Sequence, residues 1–172
     1  MRRPRDDEYA EPYRSYVGLV PEDDILTVLA HQTDELRTLL ARVPRERETF
    51  RYGPGKWSIR EVVGHMGDGE RVFGYRAFCI SRGDQASLPG FDENAYVDAS
   101  GYDRRPLSGL VDVFTALRAS NLAELRAIDA DIWNRVGLAN DTRVSVRALA
   151  FILAGHVRHH MAILTSRYGV PG

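Results

Sequence analysis

A single cysteine, Cys79, occurs in the 172 residues, so no internal disulfide can hold the fold, and a reducing compartment is the simpler setting. Lysine is nearly missing too: Lys56 stands alone among 23 basic residues, which 24 acidic ones balance to a formal net charge of -1. So neutral a chain lacks the basic field of a nucleic-acid binder, and no nucleic-acid partner is expected. No apolar run approaches the roughly 18 to 20 residues of a membrane span. The basic residues Arg2, Arg3 and Arg5 are not followed by the apolar stretch of a secretory signal. A soluble, cytoplasmic protein without a membrane partner is the expectation. Walker-type and dinucleotide-type glycine loops are absent, as is any Ser/His/Asp order, which leaves nucleotide chemistry and serine-type hydrolysis unsupported.

What is present is the composition of a folded globular chain, 44% apolar and 27% charged, at a length that suits one domain with a continuous core. Residues 1–20 mix charges, prolines and tyrosines without periodicity and read as an arm laid over the surface or partly disordered, with little chemistry expected there. The domain proper is expected over residues 21–172. Pro21, followed by Glu22, Asp23 and Asp24, opens a first helix that runs to about Val43 on the stripe Ile25, Val28, Leu29, Leu36, Leu39, Leu40 and Val43. Gln32 falls inside that stripe and needs a buried partner. Ser58 and Glu61 form a capping box that starts a second helix, which ends near Gly83.

Residues 84–105 are rich in Gly, Pro, Asp and Asn, too irregular for a helix and long for an idle connection. A third helix is expected from about Pro106 to Ile128. A connection with a short hairpin at Asn140-Asp141 follows, and then a fourth helix, capped by Ser145, that continues to Tyr168. Four amphipathic helices with no convincing run of alternating strands predict an all-α four-helix bundle.

The chemistry concentrates in histidines. His156 and His160 are four residues apart and, at about 100° per residue, share a stripe with Leu149, Leu153, Ile163 and Leu164. Their imidazoles therefore face inward, one turn apart, at a spacing that suits one metal ion and equally a hydrogen-bonded polar pair in the core. His65 lies at the edge of the second helix's stripe, where a lone histidine reads as a surface or capping residue, but it stands among Gly64, Gly67 and Gly69, which allow close approach by a partner helix or ligand. Three neutral imidazoles from two helices fit a divalent ion such as zinc, nickel or iron and leave a position open.

Glu70 and Gln32, near the inward stripes, are candidates to orient a ligand or a metal-activated water, or else simple core contacts. Asn94 and Tyr96, in the long connection, are candidates to line a substrate pocket. Asp68 is expected to face away from the stripe, towards the surface. His31 and His159 read as solvated or supporting groups, and Cys79 as a small hydrophobe.

The segment from Lys56 to Asp68, Lys-Trp-Ser-Ile-Arg-Glu-Val-Val-Gly-His-Met-Gly-Asp, followed much later by Gly155-His156-Val157-Arg158-His159-His160-Met161-Ala162-Ile163-Leu164, resembles the DinB-like superfamily, particularly its YfiT-like branch. The match extends over residues 22–168, and Met66-Gly67 replaces the Leu-Ala usual in the family. The resemblance implies an up-down-down-up bundle, often a homodimer, with zinc or nickel on three histidines that correspond to His65, His156 and His160. It also implies that the stretch from Phe91 to Tyr96 covers the metal's open side. Characterised branches include transferases of small thiols and a thiol-dependent isomerase. The leading expectation is therefore a metal-dependent transferase that joins a low-molecular-weight thiol to an electrophile. Metal-dependent hydrolysis and a non-catalytic metal-binding bundle are the alternatives.

Overall fold

Ile25, Val28, Leu29, Leu36, Leu39 and Leu40 recur at helical spacing and are all buried along one face of a long helix in the computed structural model, which describes residues 2–172. The helices are α1 (Arg14–Gly18), α2 (Ile25–Leu40), α3 (Ile59–Ser81), α4 (Glu93–Ser100), α5 (Leu107–Ala127) and α6 (Val146–Ser166). Three short strands, β1 (Ser87–Leu88), β2 (Val136–Ala139) and β3 (Thr142–Ser145), form a minor sheet in the order β1-β2-β3. Among the described residues no helix is long and apolar enough to cross a membrane.

Side-chain bonds give the directions of the four long helices. Arg60, at the start of α3, and the Leu107 N–H, at the start of α5, share the Glu48 carboxylate, and further along Glu70 meets Arg118. α3 and α5 are thus parallel. α2 and α6 are parallel as well, because Gln32 donates to the Ala154 carbonyl and Arg42, past the end of α2, reaches the Pro171 carbonyl past the end of α6. The Tyr168 hydroxyl donates to the Trp57 carbonyl, which sets α6 antiparallel to α3. The result is the up-down-down-up bundle, whose core is built from the inner faces of α2, α3, α5 and α6.

Consecutive parallel helices require a connection that travels back along the bundle. Residues 82–106 make that return, and they are more regular than their composition predicts. They contain β1 and the two-turn helix α4, capped by Asp92, whose carboxylate accepts from the N–H groups of Asn94 and Ala95 at 3.0 Å each. Gly101, at φ 64°, ends α4. α4 buries only Val97, so no apolar stripe exists from which the helix could be read. The hairpin of β2 and β3 turns at Asn140 and Asp141, both in the left-handed region (φ 51° and 57°) that a tight two-residue turn demands. β1 adds to β2 in parallel, and the Asn140 N–H donates to the Leu88 carbonyl at 2.8 Å.

Two further boundaries differ from the reading of the sequence. α2 begins after Asp24 rather than at Pro21, because the Asp24 carboxylate takes the Thr27 N–H and hydroxyl. Residues 2–20 are ordered and partly built into the core rather than only laid over the surface. Val17 and Val20 are buried, and the Glu8 carboxylate, itself buried, accepts from Ser145 Oγ at 2.8 Å and from Arg147 at 2.9 Å. α1 packs on α6 so closely that a Cβ at position 155 would lie 2.0 Å from the Tyr16 carbonyl oxygen. Glycine at that position lets the N-terminal segment dock beside the histidine pair.

Candidate metal centre

α3 begins with the expected capping box: Ser58 Oγ accepts from the Glu61 N–H at 3.1 Å, and the Glu61 carboxylate accepts from the Ser58 N–H at 2.8 Å. α6 begins at Ser145, whose Oγ takes the Ala148 N–H at 3.0 Å. With both helices fixed in phase, His65 on α3 and His156 and His160 on α6 turn to one point. The Nε2 atoms of His65 and His156 are 3.0 Å apart, and those of His156 and His160 are 3.1 Å apart. One nitrogen from each ring lies within 4.8 Å of the others. Gly69 permits this approach: a Cβ there would stand 2.6 Å from Cε1 of His156.

All three rings are buried, with 6%, 4% and 7% exposure for His65, His156 and His160. Burial, together with the nearby imidazole of His159, pushes His65 down to about 4. Burial and the neighbouring imidazoles hold His156 and His160 well below the ordinary histidine range. The rings are therefore neutral at pH 7, each with one N–H and one lone pair.

Nδ1 of His65 and of His160 has no hydrogen-bond partner among the described residues. The three Nε2 atoms facing one point cannot each have a partner of their own whichever tautomers the rings adopt, a costly state for buried groups. A divalent cation that accepts three imidazole lone pairs fits this donor set.

The cluster forms the floor of a cleft of about 420 Å³. Trp57 lies 4.7 Å from the His65 ring, centroid to centroid, and Phe91, from the returning connection, stacks over the same ring at 6.5 Å. Tyr16 of α1 meets the His156 ring edge-on at 5.5 Å, and Phe73 approaches it at 5.7 Å. Tyr13, Arg76, Glu93, Asn140 and His159 also line the cleft. These walls come from both ends of the sequence and from three connections, so no single stretch of residues announces them. Tyr13 and Tyr16 lie in the segment from which least chemistry was expected. The one available signal was their aromatic character in an otherwise polar stretch.

The other residues singled out from the sequence fall elsewhere. Gln32 finds its buried partners: its amide donates to the Ala154 carbonyl, and its oxygen accepts from Arg118 at 2.8 Å. Glu70 pairs with Arg118 at 2.6 and 3.0 Å and accepts from Asn121 at 3.0 Å. Neither Gln32 nor Glu70 lines the cleft. Asn94 is exposed; Tyr96 packs on Phe91 at 5.3 Å and lines the neighbouring apolar cleft instead. Asp68 is not turned to open solvent. It is half-buried beneath Tyr102, whose hydroxyl donates to it at 2.7 Å, since Gly64 leaves room for the tyrosine ring. His31 is exposed, and Cys79 is buried.

Comparison with known proteins enlarges this picture. The family model described as the DinB superfamily matches residues 29–164. No curated protein matches the sequence. YfiT from Bacillus subtilis, described as a probable metal-dependent hydrolase with an unusual four-helix bundle topology, superposes with a TM-score of 0.73 at 20% identity, over 96% of this chain and 93% of that one. A mycothiol-dependent maleylpyruvate isomerase superposes with a TM-score of 0.68 at 13% identity. That match covers 85% of this chain, which spans only 61% of the isomerase. At these identities the two likenesses concern the fold.

Proposed function

The chain belongs to the DinB superfamily, and from that premise we propose that it is a metal-dependent enzyme joining a low-molecular-weight thiol to an electrophile in the histidine cleft. The observation that carries this reading is the convergence of three neutral, buried Nε2 atoms at the floor of an accessible cleft. His65, His156 and His160 would hold the ion, zinc or nickel. Such an ion lowers the pKa of a thiol, so that the nucleophilic thiolate exists at neutral pH. The mycothiol dependence of the isomerase that shares this fold supports a thiol as one substrate.

The residues around the histidines divide the remaining work. Trp57, Phe73 and Phe91 exclude water from the reacting end and offer apolar surface to the electrophile. Tyr16, edge-on to His156 and 5.4 Å from His159, limits the rotation of both rings. The chain is further proposed to act as a homodimer, which light scattering would test against a monomer.

Hydrolysis is the second reading. It is favoured by Glu93, the carboxylate among the described residues that line the cleft, which could serve as a general base. The description of YfiT as a probable metal-dependent hydrolase agrees with it.

Elemental analysis decides first. The purified protein should carry about one divalent ion per chain, and the His156→Ala, His160→Ala variant almost none while retaining its helical circular dichroism. Thiol-conjugating activity should disappear in His160→Ala and on chelation. Retained conjugation in that variant would remove the transferase reading. Turnover of esters or amides that chelator abolishes would favour hydrolysis, and metal without turnover of either class would leave a non-catalytic bundle.

A further inference from the structure

Arg76 is the strongly polar group of the cleft that the chemistry above does not use. It is only 3% exposed, yet it forms no ion pair among the described residues. Arg118, equally buried at 2%, is by contrast matched by Glu70. A guanidinium has five N–H donors. One of them goes to the Tyr13 hydroxyl at 3.3 Å and one to the Pro89 carbonyl at 2.7 Å. The others meet no protein acceptor among the described residues; the Phe73 ring lies 5.7 Å away, and Glu93, the carboxylate lining the same cleft, forms no ion pair with the guanidinium. An uncompensated charge at this depth is expensive unless an anion is meant to reach it.

Position says which anion. His65, Gly69, Phe73 and Arg76 follow one another on α3 at intervals of four, four and three residues, hence on one face. Arg76 lines the same cleft as the histidines and stands at its border with the neighbouring apolar cleft, to which its partner Pro89 belongs. Seven helical residues, about 10 Å of rise, separate it from Gly69, against which the His156 ring rests. A helical side chain leans towards the N-terminus, which brings the guanidinium closer to the histidines than that.

We propose that Arg76 is the anion subsite of this cleft, and that the substrate is a small molecule whose carboxylate pairs with the guanidinium while its reacting atom lies at the histidines. A planar carboxylate can take two parallel N–H bonds from one guanidinium, and the aromatic walls between the two ends suit an apolar body. The inference rests on the reading of the cleft as a substrate site, but not on the metal. The carboxylate can belong to the thiol or to its electrophilic partner.

The test is calorimetric titration of the full chain, as purified and after chelator treatment, with two acid and amide pairs. Hydrocinnamate and its amide stand for the electrophile, and N-acetylcysteine and its amide for the thiol. At least one acid should bind roughly 10- to 100-fold more tightly than its amide, the gain expected of charge-assisted bonds. That advantage should persist after chelation, vanish in Arg76→Gln and survive in part in Arg76→Lys. The pair that shows it identifies which substrate carries the carboxylate.

Equal binding of acid and amide in the unmodified chain overturns the proposal, as does an advantage that survives in Arg76→Gln. If Arg76 serves only to tie down Pro89, Arg76→Gln lowers the melting temperature and no acid is preferred. Should Arg76→Gln fail to fold, the unmodified chain and Arg76→Lys still decide. Metal content measured on the same samples registers failure of the three-histidine reading separately.

Discussion

Two polar clusters lie back to back in the core of this bundle, and they treat hydrogen bonding in opposite ways. In one, Arg118 forks onto Glu70 and also reaches Gln32 and the Leu29 carbonyl, Gln32 donates to Ala154, and Asn121 donates to Glu70. Positive charge meets negative charge, and donors meet acceptors. In the other, three imidazoles present like atoms to one another, two of their Nδ1 atoms are unpartnered, and a cleft opens above them. Both are buried and both are polar. What separates the closed network from the candidate metal site is whether the cluster can satisfy itself. Consecutive residues of α3 belong to different clusters: Gly69 seats His156, and Glu70 turns to Arg118.

The largest effect on folding is expected from the closed cluster. Arg118→Met leaves the Glu70 carboxylate buried without its counter-charge, which costs about 3–5 kcal/mol. Denaturant unfolding would read that loss as a lower midpoint at unchanged slope. Replacing Glu70 by Leu in the same chain should restore much of the stability, because an apolar pair of similar volume removes the orphaned charge. If the clusters are independent, the folded fraction of Arg118→Met binds as much metal as the parent. Loss of metal from a still-folded Arg118→Met chain would join the two clusters into one site.

A smaller effect, aimed at the open cluster, comes from Gly69→Ala. The added methyl would stand 2.6 and 2.8 Å from Cε1 and Nδ1 of His156, so the imidazole must move away from the point where the three rings converge. A stability cost of about 1–3 kcal/mol is expected from overpacking, with metal affinity reduced at least ~10-fold, the scale on which misoriented ligands lose binding. Competition against a chromogenic chelator measures it. Undiminished affinity would mean that His156 does not take part in holding the ion.

How much of this was visible in the sequence follows the same division. The helix-four stripe placed His156 and His160 inward, and the edge of the helix-two stripe carried His65, because helical periodicity maps directly onto which way a side chain faces. The capping box at Ser58 and the turn at Asn140 and Asp141 were legible because each is a local hydrogen-bonding or dihedral requirement.

Pairings across the fold were not. Gln32 announced a need for a buried partner, but that the partner would be Arg118, on α5, depends on how the helices are ordered in space. Glu70 was drawn to Arg118 for the same reason. α4 was hidden because one buried residue, Val97, makes no stripe, and Arg76 because nothing in its neighbourhood in the sequence shows that no acid will reach it. Tyr16 reaches the cleft because Gly155 lets α1 press against α6.

The smallest effect provides the control for the larger ones. Gly67 lies in α3 only two residues before Gly69, but a Cβ there would meet nothing nearer than Nη1 of Arg71, at 3.8 Å. Two residues along a helix turn the side chain by about 200°, so position 67 faces away from the rings that position 69 supports. Gly67→Ala should therefore stabilise the chain by about 0.5–1 kcal/mol through helix propensity alone, with metal affinity unchanged. A rise in the denaturant midpoint together with an unaltered chelator titration is the expected pair of results. If Gly67→Ala weakened metal binding as Gly69→Ala does, the cause would be a general stiffening or shift of α3 rather than contact with His156, and the assignment of Gly69 as the seat of that ring would fall.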